Sequence, residues 1–560
     1  MLFKRSIQYC LATALLTSAL PAFTFSPVAA RNGMVVSSEP RASEAGLEML
    51  RAGGNAVDAA VATGFTLAVT HPAAGNIGGG GFMLIRRASG ESVVVDYREQ
   101  APAAASRDMY LDAKGEANLE ASTVGPLAVG VPGTVAGLAL AEQKNGKLGL
   151  ARVLEPAIRL AEQGFPVSYS FSETLREASE LLSKFPESRR IFLRDGRPYE
   201  PGEIFKQPDL ARTLREIARR GPKGFYTGRV ARAIVATMEK HHGLMKLLDL
   251  EQYQAKLRPP LVGHFRGYEI LTVPPPSSGG VGLIEMLNVL EPLELGPPNS
   301  FQAMRLIAET MRRAYADRAA YLGDADFVSV PVVGLTNPQY AAKLREAILE
   351  AKAQSPVQPG KPQVFESGQT THYSVVDAEG NAISNTYTLN GGYGSGVTVE
   401  GAGFLLNNEM DDFAAKPGTP NMFGLVQGEA NTIAPRKRPL SSMTPTIVLQ
   451  DGKVRLVLGS PGGGTIINTV LQVLLNVTVF KMDVREAVTS PRFHHQWNPD
   501  VLVLERWGFS ADTLQKLREA GYKLALRDNI GECEAIEIDP RTGWRFGAAD
   551  PRGDGKAVGY

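Results

Sequence analysis

Residues 369–377 read Gln369-Thr370-Thr371-His372-Tyr373-Ser374-Val375-Val376-Asp377, a run of β-branched and aromatic residues that opens with two adjacent threonines. This composition predicts a β-strand. A turn at Glu379-Gly380-Asn381 and a second strand-like run over residues 382–390 follow it. The segment therefore predicts a β-hairpin.

A threonine that opens a strand directly after a linker could act as a nucleophile. A hydroxyl is a poor nucleophile unless a base lies beside it, and a cut between Gln369 and Thr370 would place a free α-amine next to the Thr370 hydroxyl. Taken alone, however, the Thr-Thr pair is explained by β-propensity. The pair indicates an N-terminal nucleophile only if the surrounding residues support it.

The segment upstream of this pair, residues 351–368, is rich in Gln, Pro, Ser, Gly and Lys and has little periodicity. Such a composition predicts an exposed linker. Residues 140–348 are predicted to be mostly helical and to form a covering layer. Downstream of the hairpin, strands are predicted at residues 446–449, 454–458 and 535–538, and helices at 465–479 and 510–520. The chain thus divides into a helix-rich first part and a sheet-rich second part.

Near the start of the chain, residues 43–67 show helical apolar spacing and run towards a glycine cluster at residues 75–81. The cluster predicts a loop lined by backbone groups. Strand-like runs follow at residues 82–85 and 93–97. Arg98 comes directly after the second run, so we expect it at the end of a strand.

Composition excludes several classes of protein. The chain has 560 residues, of which 44% are hydrophobic and 21% charged, and this excludes a disordered, collagenous or coiled-coil protein. The 59 basic residues nearly balance the 58 acidic ones, so no overall field would hold a nucleic acid or an anionic membrane. Two cysteines, Cys10 and Cys533, are too few for a disulfide scaffold or a thiolate metal site.

The first thirty residues have the features of a cleavable export signal. Lys4 and Arg5 precede an apolar run over residues 10–20, and Val28-Ala29-Ala30 offers small residues at the −3 and −1 positions. We predict cleavage after Ala30 and export to the periplasm or the medium. Because Pro21 interrupts the apolar run, it falls short of the roughly 20 apolar residues that a membrane span needs.

Common catalytic and cofactor motifs do not occur. The sequence contains no His-Glu-x-x-His, Cys-x-x-Cys or Gly-x-Ser-x-Gly motif. The run Gly459-Ser460-Pro461-Gly462-Gly463-Gly464-Thr465 precedes a predicted helix as a phosphate loop would, but it lacks the lysine. We therefore expect neither a metal nor an organic cofactor.

Nine segments of the chain resemble, in order, the motifs of the γ-glutamyltransferases, also called γ-glutamyltranspeptidases or glutathione hydrolases. The resemblance covers essentially the whole chain after the signal. The segments are residues 75–83, Asp96-Tyr97-Arg98-Glu99, residues 130–134, residues 275–280, residues 370–377, Thr386-Tyr387-Thr388-Leu389-Asn390, residues 405–413, Arg438-Pro439-Leu440-Ser441-Ser442-Met443 and Gly459-Ser460-Pro461-Gly462-Gly463.

The resemblance implies an α/β (α+β) fold, specifically an N-terminal-nucleophile hydrolase with a four-layer αββα sandwich. It also implies a precursor that cuts itself between Gln369 and Thr370. The products would be a helix-rich large subunit of residues 31–369, which contributes Arg98, and a sheet-rich small subunit of residues 370–560. They would form one intertwined catalytic unit, held together without a covalent bond. Glutathione is the donor that the resemblance implies, with water, amino acids or peptides as acceptors.

For the catalytic residues, the resemblance implies that the Thr370 hydroxyl attacks the γ-amide carbonyl and that the Thr370 α-amine takes the proton. Thr388 would hydrogen-bond the Thr370 hydroxyl or amine. Gly462 and Gly463 would present backbone N–H groups to the oxyanion, for which a turn at a helix start is suited.

The substrate-binding residues divide by charge, because a γ-glutamyl group carries a carboxylate and an ammonium on one carbon. Donors are expected at the carboxylate, where an arginine offers a planar pair of N–H groups. Acceptors are expected at the ammonium. The resemblance assigns Arg98, Ser441 and Ser442 to the carboxylate, and Asp412, Glu409 and Asn390 to the ammonium.

Residues 417–428 resemble the loop that covers the pocket in bacterial members, and their presence argues against glutaryl acylases that lack the loop. Bacterial relatives often carry a tyrosine, which bonds the equivalent of Asn390, where this chain has Phe423. We therefore expect a looser lid. Glu409, where many bacterial relatives have glutamine, adds a charge that should favour amino-acid donors.

Two other functions remain open. A cephalosporin or glutaryl acylase of the same fold would not need Asp412 and Glu409, because its substrate lacks the α-amine. A periplasmic binding or scaffold protein on a decayed enzyme fold would stay uncut.

Overall fold

The computed structural model describes residues 26–350 and 370–560. Most of the predicted signal, the predicted linker and Gln369 lie outside these residues. In the described part of the chain, no helix combines the length and the apolar character that a membrane crossing requires.

Two antiparallel seven-stranded sheets form the centre of the fold. We call them the Thr370 sheet and the Ile447 sheet. In spatial order, the Thr370 sheet consists of Lys556–Gly559, Met34–Ser37, Thr370–Val376, Ala382–Thr388, Gly80–Arg86, Ser92–Asp96 and Lys256–Arg258. The Ile447 sheet consists of Val28–Ala30, Arg545–Ala548, Ala535–Ile538, Lys453–Leu458, Thr446–Gln450, Tyr268–Thr272 and Leu261–Phe265.

Strand alternation divides the interior into three apolar layers, because neighbouring side chains of a strand point to opposite faces. In the Thr370 strand, Tyr373 and Val375 pack against helices, whereas Val376 joins the layer between the sheets. In the Ile447 strand, Ile447 faces the Thr370 sheet and Val448 faces helices on the far side. The order is therefore helix, sheet, sheet, helix, which confirms the αββα prediction.

The helical layers are built from segments on both sides of Thr370. Smaller strands form a three-stranded sheet, Phe493–His494, Leu502–Glu505 and Leu524–Arg527, and two pairs, Phe165–Pro166 with Ile204–Phe205 and Leu193–Arg194 with Arg197–Pro198. The α-helices are Pro40–Arg51, Ala56–Thr70, Leu119–Thr123, Thr134–Asn145, Leu150–Val153, Glu155–Gln163, Tyr169–Glu177, Ser179–Ser183, Pro186–Phe192, Pro208–Arg220, Lys223–Tyr226, Gly228–Lys240, Leu247–Gln252, Gly279–Leu290, Phe301–Tyr321, Val332–Leu335, Pro338–Glu350, Ile466–Thr478, Val484–Thr489 and Ala511–Glu519.

Residues 140–348, predicted as a mostly helical covering layer, are mostly helical and also contribute strands to the central sheets. Of the strands inside this region, three join the central sheets: Lys256–Arg258 enters the Thr370 sheet, and Leu261–Phe265 and Tyr268–Thr272 enter the Ile447 sheet. These strands are short, and the longer helices around them dominate the sequence pattern. Both halves of the chain therefore build both sheets.

The predicted hairpin is confirmed, with Thr370 opposite Thr388 at its open end. Gly80–Arg86 pairs with the far side of the second hairpin strand. The glycine cluster permits this approach, since a Cβ on Gly79 would lie 2.0 Å from the Thr388 carbonyl oxygen. Asn76 donates from Nδ2 to the same carbonyl at 2.8 Å. The glycine-rich loop thus fixes the backbone of Thr388.

Strand Val28–Ala30 forms an edge of the Ile447 sheet, paired with Arg545–Ala548. The predicted signal cleavage after Ala30 would remove this edge strand together with the signal. A cleavage site a few residues upstream would retain it.

His372 lies between the sheets and gives a prediction for acid stability. Its ring bonds Thr386 Oγ1 at 2.8 Å and Ser374 Oγ at 3.1 Å, and burial lowers its pKa to about 3. The unfolded chain binds this proton near pH 6.5 and the folded chain does not, so acid favours unfolding. Below about pH 6.5, each fall of one pH unit should therefore lower the free energy of unfolding of the native protein by about 1.4 kcal/mol through His372. His372→Gln should abolish this loss.

Urea unfolding of both proteins at pH 7, 6, 5 and 4 measures this slope. His264→Gln is the matched control, because His264 is exposed on the strand Leu261–Phe265 and its loss leaves the interior intact. Parallel stability curves for the native protein and His372→Gln would contradict the prediction.

Candidate active site

Thr370 and Thr388 face each other at the open end of the hairpin, and their hydroxyl oxygens lie 3.3 Å apart. Both side chains are largely buried. The Thr388 hydroxyl accepts a hydrogen bond from the Asn390 backbone N–H at 2.8 Å. That bond leaves the Thr388 proton able to point towards Thr370.

Gly462 and Gly463 form a turn that only glycine accommodates without strain. Their φ angles are 132° and 53°, in the region that residues with a Cβ avoid. The turn leads through Gly463–Thr465 into the helix Ile466–Thr478. Backbone N–H groups at such a helix start attract negative charge.

The nucleophile candidate and this turn share an open cavity of about 460 Å³. Thr370, Pro461, Gly462 and Thr465 line one part of it. The structure therefore brings Thr370 and the candidate oxyanion turn to one place that a substrate can reach.

Arg98 lies in a buried acidic cluster formed with Glu99, Glu409 and Asp412. Its Nη2 lies 2.5 Å from Asp412 Oδ2, its Nη1 contacts Glu409 Oε1, and Nη1 lies 3.6 Å from Glu99 Oε2. The Arg98 side chain is fully buried. Groups that the resemblance assigned to opposite ends of the substrate are thus paired with each other.

The cluster has more acid than base, and burial decides its protonation. Burial raises the pKa of Glu99 to about 7 and that of Glu409 well above its usual range, although Arg98 opposes both. Burial alone would lower the pKa of Arg98, but Glu409 and Asp412 outweigh it and hold the pKa above its ordinary value. The cluster therefore keeps a proton near neutral pH, and a bound cation would favour its release.

Ser441 and Ser442 lie on a loop that packs against the turn before the helix Gly279–Leu290. The Ser441 carbonyl accepts from the Ser278 hydroxyl at 2.7 Å, and the Ser441 hydroxyl accepts from the Met443 N–H at 3.0 Å. The Ser442 hydroxyl accepts from Arg318 Nη2 at 3.2 Å. Arg98 reaches the same loop through its Nε, which donates to the Pro439 carbonyl at 3.1 Å.

Asn390, assigned to the ammonium end, has a positive φ of 78° and turns the chain away from the hairpin. Its Nδ2 donates to the Asn408 carbonyl at 3.1 Å and contacts Met422 Sδ at 3.7 Å. Asn390 thus connects Thr388 to the loop that carries Glu409 and to the lid.

The lid, residues 417–428, is attached to the acidic residues below it. Asn421 Nδ2 donates to Asp412 Oδ1 at 3.1 Å, and the Met422 N–H donates to Asp411 Oδ2 at 3.1 Å. On the far side, Gln496 Nε2 donates to the Gly424 carbonyl at 3.0 Å. These three hydrogen bonds hold the lid, although Phe423 has no hydroxyl with which to bond Asn390.

Phe423 covers the glycine turn with its ring. A Cβ on Gly463 would lie 2.9 Å from Phe423 Cδ1, so the ring and the turn are in close contact. The contact shields the turn from water, although Phe423 offers no hydroxyl to Asn390. The degree of lid opening in solution stays a prediction.

Sequence reasoning missed Arg318 and Asn421. Arg318 lies in a helix whose sequence, Met311-Arg312-Arg313-Ala314-Tyr315-Ala316-Asp317-Arg318, has the composition of a solvated face. Asn421 lies in a loop with turn composition. Neither residue carries a spacing signal that would have identified it.

Within residues 26–350 and 370–560, no group of three or more His, Cys, Asp or Glu residues has the geometry to hold a metal ion.

Comparison with known proteins identifies the family. Residues 42–560 match the family model described as Gamma-glutamyltranspeptidase. The chain is 49% identical over 542 residues to the "Glutathione hydrolase proenzyme" of Escherichia coli (strain K12), which covers 96% of this chain and 93% of the relative.

Two solved structures are similar. Cephalosporin acylase from Bacillus halodurans superposes with a TM-score of 0.85 at 28% identity, covering 100% of this chain and 99% of that chain. Helicobacter pylori gamma-glutamyltranspeptidase has a TM-score of 0.55 at 48% identity and covers 57% of this chain and 91% of that chain. With the fold, the paired threonines and a match over nearly the whole length, this chain belongs to the γ-glutamyltranspeptidase family.

Proposed function

We propose that this protein is a self-processing γ-glutamyltransferase and glutathione hydrolase. It cleaves the γ-glutamyl amide of glutathione and related compounds and passes the γ-glutamyl group to water, amino acids or peptides. The observation that carries the proposal is the position of Thr370, which opens a central strand 3.3 Å from the Thr388 hydroxyl beside the Gly462 turn.

The first reaction is the cut that creates the nucleophile. The Thr370 hydroxyl attacks the carbonyl carbon of Gln369, the peptide C–N bond breaks, and the acyl group moves from nitrogen to oxygen. Water then hydrolyses this ester and releases Gln369 as a carboxylate. The products are the subunits 31–369 and 370–560, and Thr370 now has a free α-amine.

In the second reaction the Thr370 hydroxyl attacks the γ-carbonyl carbon of the donor, and the α-amine accepts its proton. Gly462 and Gly463 stabilise the negative oxygen with backbone N–H groups. The C–N bond breaks, the leaving amine takes the proton, and a γ-glutamyl ester remains on Thr370. Water or an acceptor amine resolves the ester by the reverse sequence of proton transfers.

The charges of the site support a donor with an α-ammonium. One arginine, Arg98, faces three buried carboxyl groups, so the cluster is short of positive charge. A donor ammonium beside Asp412 and Glu409 would supply it. Ser441 and Ser442 would donate to the α-carboxylate on the other side.

The N-terminal signal pattern supports export to the periplasm, with removal of the first residues there. No nucleic acid or cofactor enters the proposed reaction. The enzyme acts as the heterodimer of its two fragments.

A cephalosporin acylase is the second candidate, because the structure from Bacillus halodurans superposes over the whole chain. The two functions differ at the ammonium. The test compares purified protein on γ-glutamyl-p-nitroanilide, glutathione and glutaryl-p-nitroanilide. Preference for both γ-glutamyl donors supports our proposal, and equal or faster cleavage of the glutaryl amide would establish the acylase.

Asn421→Ala tests the attachment of the lid to the substrate site. The substitution removes the 3.1 Å bond to Asp412 and so loosens one of the attachments of the lid, while Asp412 keeps its contact with Arg98. The variant also removes the bonds that Asn421 Oδ1 accepts from the Phe423 and Leu425 N–H groups at 3.0 and 3.1 Å. We expect KM for γ-glutamyl-p-nitroanilide to rise about 5- to 10-fold, the effect of roughly one net hydrogen bond. Self-cleavage should be unaffected, because Asn421 does not contact Thr370.

Steady-state kinetics on the cleaved protein measure the effect. Thr419→Ala is the control in the same loop, since the Thr419 hydroxyl makes no hydrogen bond to a described residue. An unchanged KM in Asn421→Ala would show that the lid does not act through Asp412.

A further inference from the structure

Arg318 is a buried arginine beside the proposed carboxylate site, on the helix Phe301–Tyr321. It is 3% exposed. Its Nε donates to Ser278 Oγ at 2.9 Å and its Nη2 to Ser442 Oγ at 3.2 Å, whereas Nη1 has no hydrogen-bond partner in the described part of the chain.

The guanidinium of Arg318 also lacks a counter-ion. No carboxylate oxygen of residues 26–350 or 370–560 lies within 4.0 Å of it, although buried charges are normally paired. Burial lowers the pKa of Arg318; Tyr315 and Asp412 oppose this shift, and Arg98 adds to it. Arg318 is therefore a buried cation in place to receive an anion.

Arg98 differs from Arg318 in this respect. Each of its three side-chain nitrogens already contacts a protein oxygen, on Pro439, Glu409 or Asp412. An incoming carboxylate would have to compete with those contacts. Beside Ser442, by contrast, Arg318 Nη1 has no hydrogen-bond partner among the described residues.

The bond from Arg318 also determines which way the Ser442 hydroxyl points. Arg318 is always a donor, so Ser442 Oγ must accept, and its own proton is directed elsewhere. The described residues offer that proton no acceptor. Ser441 is in the same state, because its hydroxyl accepts from the Met443 N–H at 3.0 Å. Both serines are thus held as donors.

We propose that Arg318 is a positioning residue for the α-carboxylate of the donor: it holds Ser442 as a hydrogen-bond donor and adds a positive charge beside that serine. The inference rests on the proposed function and names a further determinant of its donor specificity.

The test compares two donors that differ only in the α-carboxylate: γ-glutamyl-p-nitroanilide and 4-aminobutanoyl-p-nitroanilide. In Arg318→Gln, we expect the ratio of kcat/KM for the first donor to that for the second to fall about 10- to 100-fold, mainly through KM of the first. Inhibition constants for L-glutamate and 4-aminobutanoate, which also differ only in the α-carboxylate, measure the same effect on binding.

Arg313→Gln is the matched control, because Arg313 is largely buried on the same helix but pairs with Glu309 at 2.6 Å. It should leave the ratio unchanged. A merely structural role of Arg318 would lower the rates for both donors by one common factor, and that result would overturn the proposal.

Two further variants keep the test decisive if Arg318→Gln does not fold. Arg318→Lys retains the charge but cannot hold Ser278 and Ser442 together, so we expect a smaller fall of the ratio, about 3- to 10-fold. In a Ser442→Ala background the effect of Arg318→Lys should shrink, because the two residues act together. Full additivity would overturn the proposal. Failure of the proposed function would appear separately, as native protein that does not cleave γ-glutamyl-p-nitroanilide.

Discussion

Thr370→Ala is expected to yield one uncut chain without γ-glutamyl transfer. The substitution removes the hydroxyl that attacks the Gln369 carbonyl, so the α-amine that would serve as base is never released. Loss of nucleophile and base together should lower the rate at least about 10⁴-fold. Intact mass and N-terminal sequencing of the purified protein measure the cut, and hydrolysis of γ-glutamyl-p-nitroanilide measures the activity.

The native protein should show two fragments, the smaller beginning at Thr370. Thr371→Ala is the matched control, because the Thr371 hydroxyl bonds Ser38 Oγ at 2.5 Å and takes no part in the reaction. It should be cut normally. Cleavage of the Thr370→Ala chain would show that another residue is the nucleophile. An uncut native chain would favour the binding-protein function, which would then be tested.

Arg98→Gln is expected to reduce both activity and stability. Three carboxyl groups, those of Glu99, Glu409 and Asp412, would lose their only close cation within the described residues. Breaking a buried pair from one side costs about 3–5 kcal/mol. We also expect kcat/KM for γ-glutamyl donors to fall about 10²- to 10³-fold, because the acidic residues would no longer be held in place.

Glu409→Gln separates the two effects. In the double variant, removing one carboxylate should restore part of the free energy of unfolding without restoring kcat/KM. Urea unfolding and steady-state kinetics on the single and double variants form the cycle. Recovery of both quantities together would mean that Arg98 acts only on stability.

The parts of this fold that the sequence predicts are those with strong local periodicity. The hairpin around Thr370 and the strands near Ile447 and Val457 have β-branched runs bounded by turns, and the structure confirms them. Arg98 lies two residues after its strand ends at Asp96, close to the expected position. In these segments a local pattern is sufficient, because neighbouring residues determine the structure.

The remaining features depend on contacts between distant segments. Nothing local in Lys256–Arg258 indicates that it pairs with Ser92–Asp96. Likewise, the pairing of Arg98 with Glu409 and Asp412 joins residues more than 300 positions apart. Arg318 is recognisable only when Ser442 is known to be its neighbour.

The order of strands has a consequence for the lifetime of the cut enzyme. Met34–Ser37 lies between two strands from downstream of the cut, Lys556–Gly559 and Thr370–Val376. The two fragments therefore cannot separate on dilution without breaking the middle of a sheet. Unfolding of the cut protein is then a first-order event, whereas refolding requires two chains to meet. The precursor can refold alone at any concentration, but the mature enzyme cannot, so its persistence depends on its unfolding rate.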